Sequence, residues 1–307
     1  MPDLSVKLGA LSLKNPVMTA SGTWGYGLEY ADLCPPERLG AIVSKALSLE
    51  PRKGNHPPRI WETSAGMLNA IGLQNIGINA FIEEKLPPII ARGVTVIANF
   101  FGASVAEYAL AAQKLGAVKE IAALEANISC PNVGGCEGKY FGSTPARAAE
   151  VTRACRSATD KFLIVKLTPE TGDIGEVAAA VSEAGADAIS LINTIPAMAI
   201  DPRTRRPRLA NVTGGLSGPA IHPIAVRMVY EAARATKKPI IGIGGIMTAS
   251  DAIEMILAGA SAVQIGSASF HDPAAPLKIL QGIQKFLEDE KISSIKEIVG
   301  GVVIDKG

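Results

Sequence analysis

The sequence has few cysteines, few aromatic residues and no excess of charge of either sign. Its 4 cysteines include no Cys-x-x-Cys pair, which argues against a zinc site, an iron–sulfur cluster or a secreted disulfide framework. The 30 basic and 29 acidic residues leave a net charge of +1, far from the basic balance of most nucleic-acid binders. We therefore expect neither a metal centre nor a nucleic-acid partner.

Long apolar runs are also missing. No stretch of about 18 uncharged apolar residues occurs, and Met1–Ser5 does not begin a basic flank followed by an apolar segment. We expect a soluble, cytoplasmic protein with no membrane partner. With 48% hydrophobic residues in 307, the chain can build one thick core, and we expect a single domain over residues 1–307.

Short apolar runs rich in β-branched residues alternate with amphipathic stretches, a pattern typical of repeated βαβ units. The alternation predicts a (β/α)8 TIM barrel rather than an open doubly wound sheet. The eight predicted strands are Pro16–Ser21, Ala41–Ala46, Thr95–Phe100, Ala122–Ile128, Phe162–Leu167, Ala188–Asn193, Pro239–Gly244 and Ala262–Ser267.

Helix signals lie between these strands. Ser104–Leu115, Thr144–Ala158 and Asp173–Ala184 each begin with a residue that favours the N-cap. Val6–Leu13 alternates around a Gly-Ala turn and predicts an N-terminal β-hairpin that closes one end of the barrel. Two long connections, at 48–75 and 196–218, predict loops inserted at the C-terminal face, with the arginine-rich stretch at 203–208 on a solvated hairpin or loop.

Polar or glycine residues lie at or next to the C-terminal end of every predicted strand, where a packed core would not favour them. Because TIM-barrel active sites form at the C-terminal strand ends, this pattern predicts one site that gathers them all. These residues are Ser21, Lys45, Asn99, Asn127, Lys166, Asn193, Gly244, Gly245, Gly266 and Ser267.

The last two strands end in glycine turns before helical segments, an arrangement that binds phosphate in many barrels, although tight turns alone would also explain the glycines. Met247 stands where a dinucleotide fingerprint would need its third glycine, so FMN fits better than NAD. Lys166, in an apolar run, is expected to stabilise a reduced flavin.

Cys130 follows the fourth strand in a glycine-rich loop, which places a thiol at the mouth of the predicted barrel. A lone cysteine is more often a small buried hydrophobe, and Cys34 and Cys155 fit that interpretation. The position of Cys130 at a strand end favours a catalytic role. Cys136, in the same loop, has no assigned role.

Three long motifs carry a family resemblance. They are Asn127–Asn132 (NISCPN), Gly66–Asn75 (GMLNAIGLQN) and Asn211–Gly218 (NVTGGLSG). From about Leu4 to Asp272 the chain resembles the class 1 dihydroorotate dehydrogenases. The resemblance implies that Cys130 removes a proton from C5 of dihydroorotate while a hydride leaves C6 for FMN, with Lys166 beside the flavin.

The resemblance also implies the binding residues. Substrate would be held by Lys45, Asn69, Ala70, Ile71, Gly72, Leu73, Asn127, Asn193 and Thr194. The flavin would be held by Ser21, Lys45, Ala46, Asn99, Asn127, Lys166, Ile192, Gly218, Gly244, Gly245, Gly266 and Ser267. This second set repeats most of the strand-end residues found from position alone.

The sequence contains no motif for an electron acceptor that would reoxidise the reduced flavin. The segment 193–218 is more similar to the NAD-linked type B enzymes, which implies a homodimer within a heterotetramer whose second subunit carries FAD and a 2Fe-2S cluster. Open alternatives are a fumarate-linked type A enzyme, another FMN barrel such as a dihydropyrimidine dehydrogenase-like module or a dihydrouridine synthase, and a non-catalytic flavin- or phosphate-binding barrel. An additional cysteine, Cys136, departs from the family pattern and leaves the redox behaviour of the loop open.

Overall fold

The computed structural model describes residues 1–129 and 141–304. Its strands are β1 (Val6–Leu8), β2 (Leu11–Leu13), β3 (Val17–Thr19), β4 (Ile42–Val43), β5 (Ile60–Thr63), β6 (Gly66–Asn69), β7 (Val96–Phe100), β8 (Ala123–Asn127), β9 (Phe162–Lys166), β10 (Ala188–Leu191), β11 (Ile195–Ala197), β12 (Ile200–Asp201), β13 (Arg206–Pro207), β14 (Gly214–Ser217), β15 (Ile240–Ile243) and β16 (Ala260–Ile265). Cys130 and Cys136 lie outside the described residues.

The helices lie between the barrel strands and after the last of them. They are α1 (Ile78–Ala80), α2 (Leu86–Ile90), α3 (Val105–Gly116), α4 (Pro145–Ala158), α5 (Ile174–Glu183), α6 (His222–Ala235), α7 (Ala249–Leu257), α8 (Ala268–His271) and α9 (Ala275–Asp289). A π-helical turn (Phe81–Lys85) joins α1 to α2, and short 3-10 turns occur at Pro36–Arg38, Phe141–Ser143, Pro219–Ile221 and Ile295–Ile298.

Eight parallel strands form the barrel in the order β3, β16, β15, β10, β9, β8, β7, β4. The sheet closes between its edge strands, where Met18 forms a parallel bridge with Ala41 and Gly40 N donates to Val17 O at 2.8 Å. Gly40 permits this approach because a Cβ at this position would lie 2.2 Å from Asn15 O. The predicted (β/α)8 barrel is confirmed.

The hairpin β1–β2 covers one end of the barrel. Its buried Val6, Leu8, Leu11 and Leu13 pack in one cluster with interior residues such as Ile97 and Ile164. A second and larger cluster fills the space between the sheet and the helices, as expected when strands are buried on both faces. The predicted hairpin is therefore present, and it covers this end of the barrel.

The helix starts follow the capping residues that the sequence predicts. Ser104 Oγ accepts from Glu107 N, Thr144 Oγ1 accepts from Arg147 N, and Asp173 accepts from the first turn of α5. The strands are mostly shorter than predicted. The strand predicted at Pro16–Ser21 covers only Val17–Thr19, and the one predicted at Ala41–Ala46 covers only Ile42–Val43. After each of these strands the chain leaves the sheet and turns along the cavity described below.

The two long connections are not simple loops. They form a second sheet in the order β11, β14, β6, β5, in which the antiparallel pair Asn69 and Gly215 joins the two insertions. The arginine-rich stretch forms the hairpin β12–β13, as predicted. Within the described residues, no helix has both the length and the apolar character needed to span a membrane.

Candidate active site

A cavity of about 520 Å³ opens at the C-terminal ends of the barrel strands, between the barrel and the inserted sheet. Its volume is in the range of ordinary small-molecule sites. The predicted residues in its wall are Ser21, Lys45, Ala46, Asn69, Ala70, Ile71, Gly72, Leu73, Asn127, Lys166, Ile192, Asn193, Thr194, Gly244, Gly245, Gly266 and Ser267. The strand-end argument therefore brings together residues from seven of the eight barrel strands or the turns that follow them; the exception is β7.

The side chains that point into the barrel form layers because they recur every second residue. The lowest layer is apolar and includes Ile97, Ala123 and Ile164. Two residues further along the same strands, the next layer is polar. It contains Asn99, Glu125, Lys166, Ser190 and Gln264, which are all buried.

Lys166 forms part of the cavity floor and is only 5% exposed. Burial lowers the pKa of its ammonium group, and the nearby Glu125 carboxylate acts in the opposite direction. Glu125 thus supplies the opposite charge that makes a buried lysine tolerable. Lys166 is placed to offer positive charge to a ligand above it.

A chain of hydrogen bonds holds the amides at the cavity wall. Ser129 Oγ donates to Asn127 Oδ1 at 2.5 Å, and Asn193 Nδ2 donates to Ser129 Oγ at 2.6 Å. The hydroxyl of Tyr108, behind β8, donates to Asn127 O at 2.6 Å. These bonds fix two asparagines and Ser129, the residue immediately before Cys130.

The segment Asn69–Leu73 lines one side of the cavity and is anchored by Asn75. Asn75 Oδ1 accepts from Ser48 N at 3.2 Å and from Gly77 N at 2.8 Å, while its Nδ2 donates to Leu73 O at 2.9 Å. Leu73 has a φ of +56°, a strained backbone conformation for a leucine. The anchor holds this conformation at the cavity wall.

Lys45 reaches the cavity from the turn after β4 and is half-buried. Burial lowers the pKa of its ammonium group, the charge of Arg59 lowers it further, and Glu29 opposes both. A carboxylate placed between such cations would relieve their repulsion. The position therefore suits an anionic group of a ligand.

Glycine turns follow β15 and β16 as predicted. Nothing packs closely on the Cβ position of Gly266, where the nearest atom is Ala20 Cβ at 3.6 Å. Gly245 is packed more tightly, and the imidazole of His222 bonds Gly244 O at 3.0 Å. These turns leave backbone within reach of a ligand in the cavity.

The expected phosphate site would use backbone N–H groups at the starts of the helices that follow these turns. The first turn of α7 is not free, because Thr248 and Asp251 form a capping box. Asp251 Oδ2 accepts from Met247 N at 2.9 Å and from Thr248 N at 2.8 Å. The donors near this helix start are thus partly occupied by the chain itself.

Two predicted cofactor residues do not line the cavity. Asn99 is fully buried and donates from Nδ2 to Glu125 Oε1 at 2.6 Å. Gly218 lies behind the glycine turn, since its carbonyl oxygen would be 2.7 Å from a Cβ on Gly245. That either residue contacts the cofactor stays a prediction. In the structure Asn99 hydrogen-bonds Glu125, and Gly218 packs against Gly245.

Sequence reasoning missed Glu125, Ser190 and Gln264. Glu125 had a visible signal, because a carboxylate inside the apolar run Ala122–Ala126 is as unfavourable as Lys166 in its own strand. Cys34 and Cys155 are buried as expected, and burial raises the pKa of their thiols to about 11 and about 12. Within residues 1–129 and 141–304, no group of three or more His, Cys, Asp or Glu side chains could hold a metal ion.

Comparison with known proteins identifies the family. The family model described as dihydroorotate dehydrogenase matches residues 3–287. A protein of Trichlorobacter lovleyi is 57% identical over 98% of this chain and 99% of the relative, and one of Pelobacter propionicus is 55% identical over the same shares. One of Geobacter sulfurreducens is 54% identical over 99% of both chains. All three are named dihydroorotate dehydrogenase B (NAD(+)), catalytic subunit. The chain belongs to the dihydroorotate dehydrogenase family, as its three motifs predict.

Proposed function

We propose that the protein oxidises dihydroorotate to orotate in pyrimidine biosynthesis, with FMN as its cofactor and NAD as the final acceptor through a partner subunit. The observation that carries the proposal is the cavity wall itself. Lys45, three asparagine amides and the buried Lys166 face one space, next to the serine that precedes Cys130. A barrel that only bound phosphate would not need this set.

The substrate matches the polar groups of the wall. The carboxylate of dihydroorotate suits the ammonium group of Lys45, with Asn69–Leu73 along one side. The ring amides suit Asn127 and Asn193, because an asparagine side chain offers both a donor and an acceptor. Thr194 completes this side, and its N–H donates to Asn193 Oδ1 at 2.8 Å.

The cavity also fits FMN. The Cβ positions of Gly22 and Gly266 are open or loosely packed, which leaves space for a ligand against the backbone. Residues that would hold the cofactor are Ser21, Ala46, Lys166, Gly244, Gly245, Gly266 and Ser267. FMN, when bound, would supply the hydride acceptor that no side chain provides. Lys166 would stabilise negative charge above it.

Cys130 is the proposed base. It would take the proton from C5 of dihydroorotate as the hydride leaves C6, so that the C5=C6 double bond of orotate forms and both electrons of the C6–H bond leave with the hydride. A thiolate is needed for this step. The hydrogen bonds of Ser129 to the amides of Asn127 and Asn193 hold the residue before Cys130 at the cavity wall, which supports this assignment.

The names of the relatives support a partner subunit, because these proteins are named catalytic subunits of dihydroorotate dehydrogenase B (NAD(+)). We propose a homodimer of this chain within a cytoplasmic heterotetramer, whose second subunit carries FAD and a 2Fe-2S cluster. The chain alone should reduce artificial dyes with dihydroorotate but reduce NAD poorly. Fast turnover of the isolated homodimer with fumarate, with no iron-bearing partner in copurification, would replace the type B assignment with type A.

Anaerobic stopped-flow absorbance tests the function directly. Dihydroorotate should bleach the flavin of the wild type, and Cys130→Ala should keep its flavin but lose about 10³-fold or more in reduction rate. Cys130→Ser should retain slight activity that rises with pH. Cys136→Ser is the matched control from the same loop and should reduce at the wild-type rate. Near-normal reduction in Cys130→Ala would remove this thiol from the mechanism.

A further inference from the structure

A carboxylate lies in the polar layer beneath the cavity floor, with no exposed surface. Glu125 points into the barrel because it stands two residues after the interior Ala123 and two before the cavity-lining Asn127. A buried carboxylate is unfavourable unless it is hydrogen-bonded or paired with a positive charge. The proposed proton and hydride transfers give this residue no part.

Three side chains from three different strands donate hydrogen bonds to this carboxylate. Asn99 Nδ2 and Gln264 Nε2 each lie 2.6 Å from a Glu125 oxygen, and Ser190 Oγ lies at 2.9 Å. All three donors are fully buried. Both oxygens of the Glu125 carboxylate therefore act as acceptors, and hydrogen bonds to a carboxylate are stronger than those between neutral groups.

The side-chain amides of Asn99 and Gln264 turn their nitrogens toward Glu125, which leaves their own oxygens without a hydrogen bond from the described residues. Asn99 Oδ1 and Gln264 Oε1 are buried and accept no hydrogen bond from any described residue. Unpaired buried carbonyl oxygens are unfavourable. The negative charge of Glu125 is therefore what orients both amides.

Lys166 stands in the same layer on β9, next to β8, where it pairs with Asn127 in register. Its ammonium group makes no hydrogen bond or ion pair with another residue in the described part of the chain. The other charged side chains in the cavity wall are Lys45 and Glu170. Of the described charged groups, Glu125 is the one whose charge acts on Lys166.

We propose that Glu125 is a positioning residue that keeps Lys166 protonated at the cavity floor, held in that role by Asn99, Ser190 and Gln264. Glu125, which lies beneath the cavity floor and contacts neither substrate nor cofactor, then maintains the positive charge that Lys166 presents to a ligand. The inference deepens the proposed function. Its test on the FMN reduction potential rests on that function, whereas its test on the protonation of Lys166 does not.

The first test measures the protonation of Lys166 in the full chain labelled with 13Cε-lysine, with Lys166→Met to assign the signal. The wild-type signal should be that of an ammonium group at pH 7. In Glu125→Gln it should titrate at lower pH than in the wild type, while Glu125→Asp, which keeps the charge, should restore the wild-type midpoint. Glu170→Gln, which removes a carboxylate of the cavity wall, is the matched control and should leave the midpoint unchanged.

Two results of this test would overturn the inference. One is a neutral Lys166 in the wild type at pH 7, which can be observed even if Glu125→Gln fails to fold. The other is a Glu125→Gln midpoint equal to that of the wild type.

The second test is a double-mutant cycle on the FMN reduction potential, measured at a pH between the two Lys166 midpoints. Glu125→Gln and Lys166→Met should each lower the potential, and the double variant should match Lys166→Met alone, because Glu125 acts through Lys166. Additive shifts in the double variant would contradict the inference. If the wild type binds no FMN, the proposed function fails, and the lysine titration alone decides the role of Glu125.

Discussion

Replacing Asn75 with alanine should loosen the wall of the cavity at Asn69–Leu73. The change removes the acceptor of two buried backbone N–H groups, those of Ser48 and Gly77, and the donor to Leu73 O. An unpaired buried N–H group costs roughly 1–3 kcal/mol, and a water molecule in the vacated space would recover part of this. We expect a loss of about 2–4 kcal/mol in the free energy of unfolding.

The expected loss converts to a modest shift in the melting temperature. At about 2.1 cal/mol/K per residue, the unfolding entropy of a chain of this length is roughly 0.6 kcal/mol/K, so Tm should fall by about 3–6 °C. Since Leu73 would lose the bond that holds its strained conformation, the KM for dihydroorotate should rise more than kcat falls.

Differential scanning calorimetry and steady-state dye reduction measure both effects. Asn79→Ala is the matched control, because Asn79 is an exposed asparagine four residues away in the short helix α1. It should change neither Tm nor KM. A wild-type Tm and KM in Asn75→Ala would show that the side chain of Asn75 does not anchor this segment.

Two further predictions concern the substrate carboxylate and the closure of the barrel. Burial and Arg59 lower the pKa of Lys45. As the pH rises, Lys45 therefore loses its positive charge at a lower pH than an ordinary lysine does. Orotate affinity, measured by calorimetry, should weaken through that pH range. Lys45→Met should bind orotate about 10- to 100-fold more weakly with no such pH dependence, and an unchanged affinity would remove Lys45 from the site. Gly40→Ala should lower the free energy of unfolding by about 1–3 kcal/mol, because its Cβ would lie 2.2 Å from Asn15 O where the barrel closes. Gly172→Ala, with nothing within 4 Å of its Cβ position, is the control for denaturant unfolding, and equal losses in both variants would refute the steric argument.

The sequence by itself determined the barrel strands and the starts of its helices. These features depend on residues close together in the chain, such as Ser104, whose side chain caps a backbone N–H three residues later. The polar strand ends predicted the cavity for a similar reason, since every parallel strand of a barrel delivers its C-terminal end to the same face. The three motifs identified the family, which the comparisons confirm.

Tertiary structure alone decided the second sheet and the polar layer. Asn69 pairs with Gly215 across almost half of the chain, and no local pattern in the short strands β6 and β14 specifies that partner. Asn99 stands at a strand end like Asn127, yet it turns to Glu125 below the cavity, because a buried carboxylate competes for its amide. Such competition depends on which strands become neighbours, and only the closed barrel brings Asn99, Glu125, Ser190 and Gln264 into one layer.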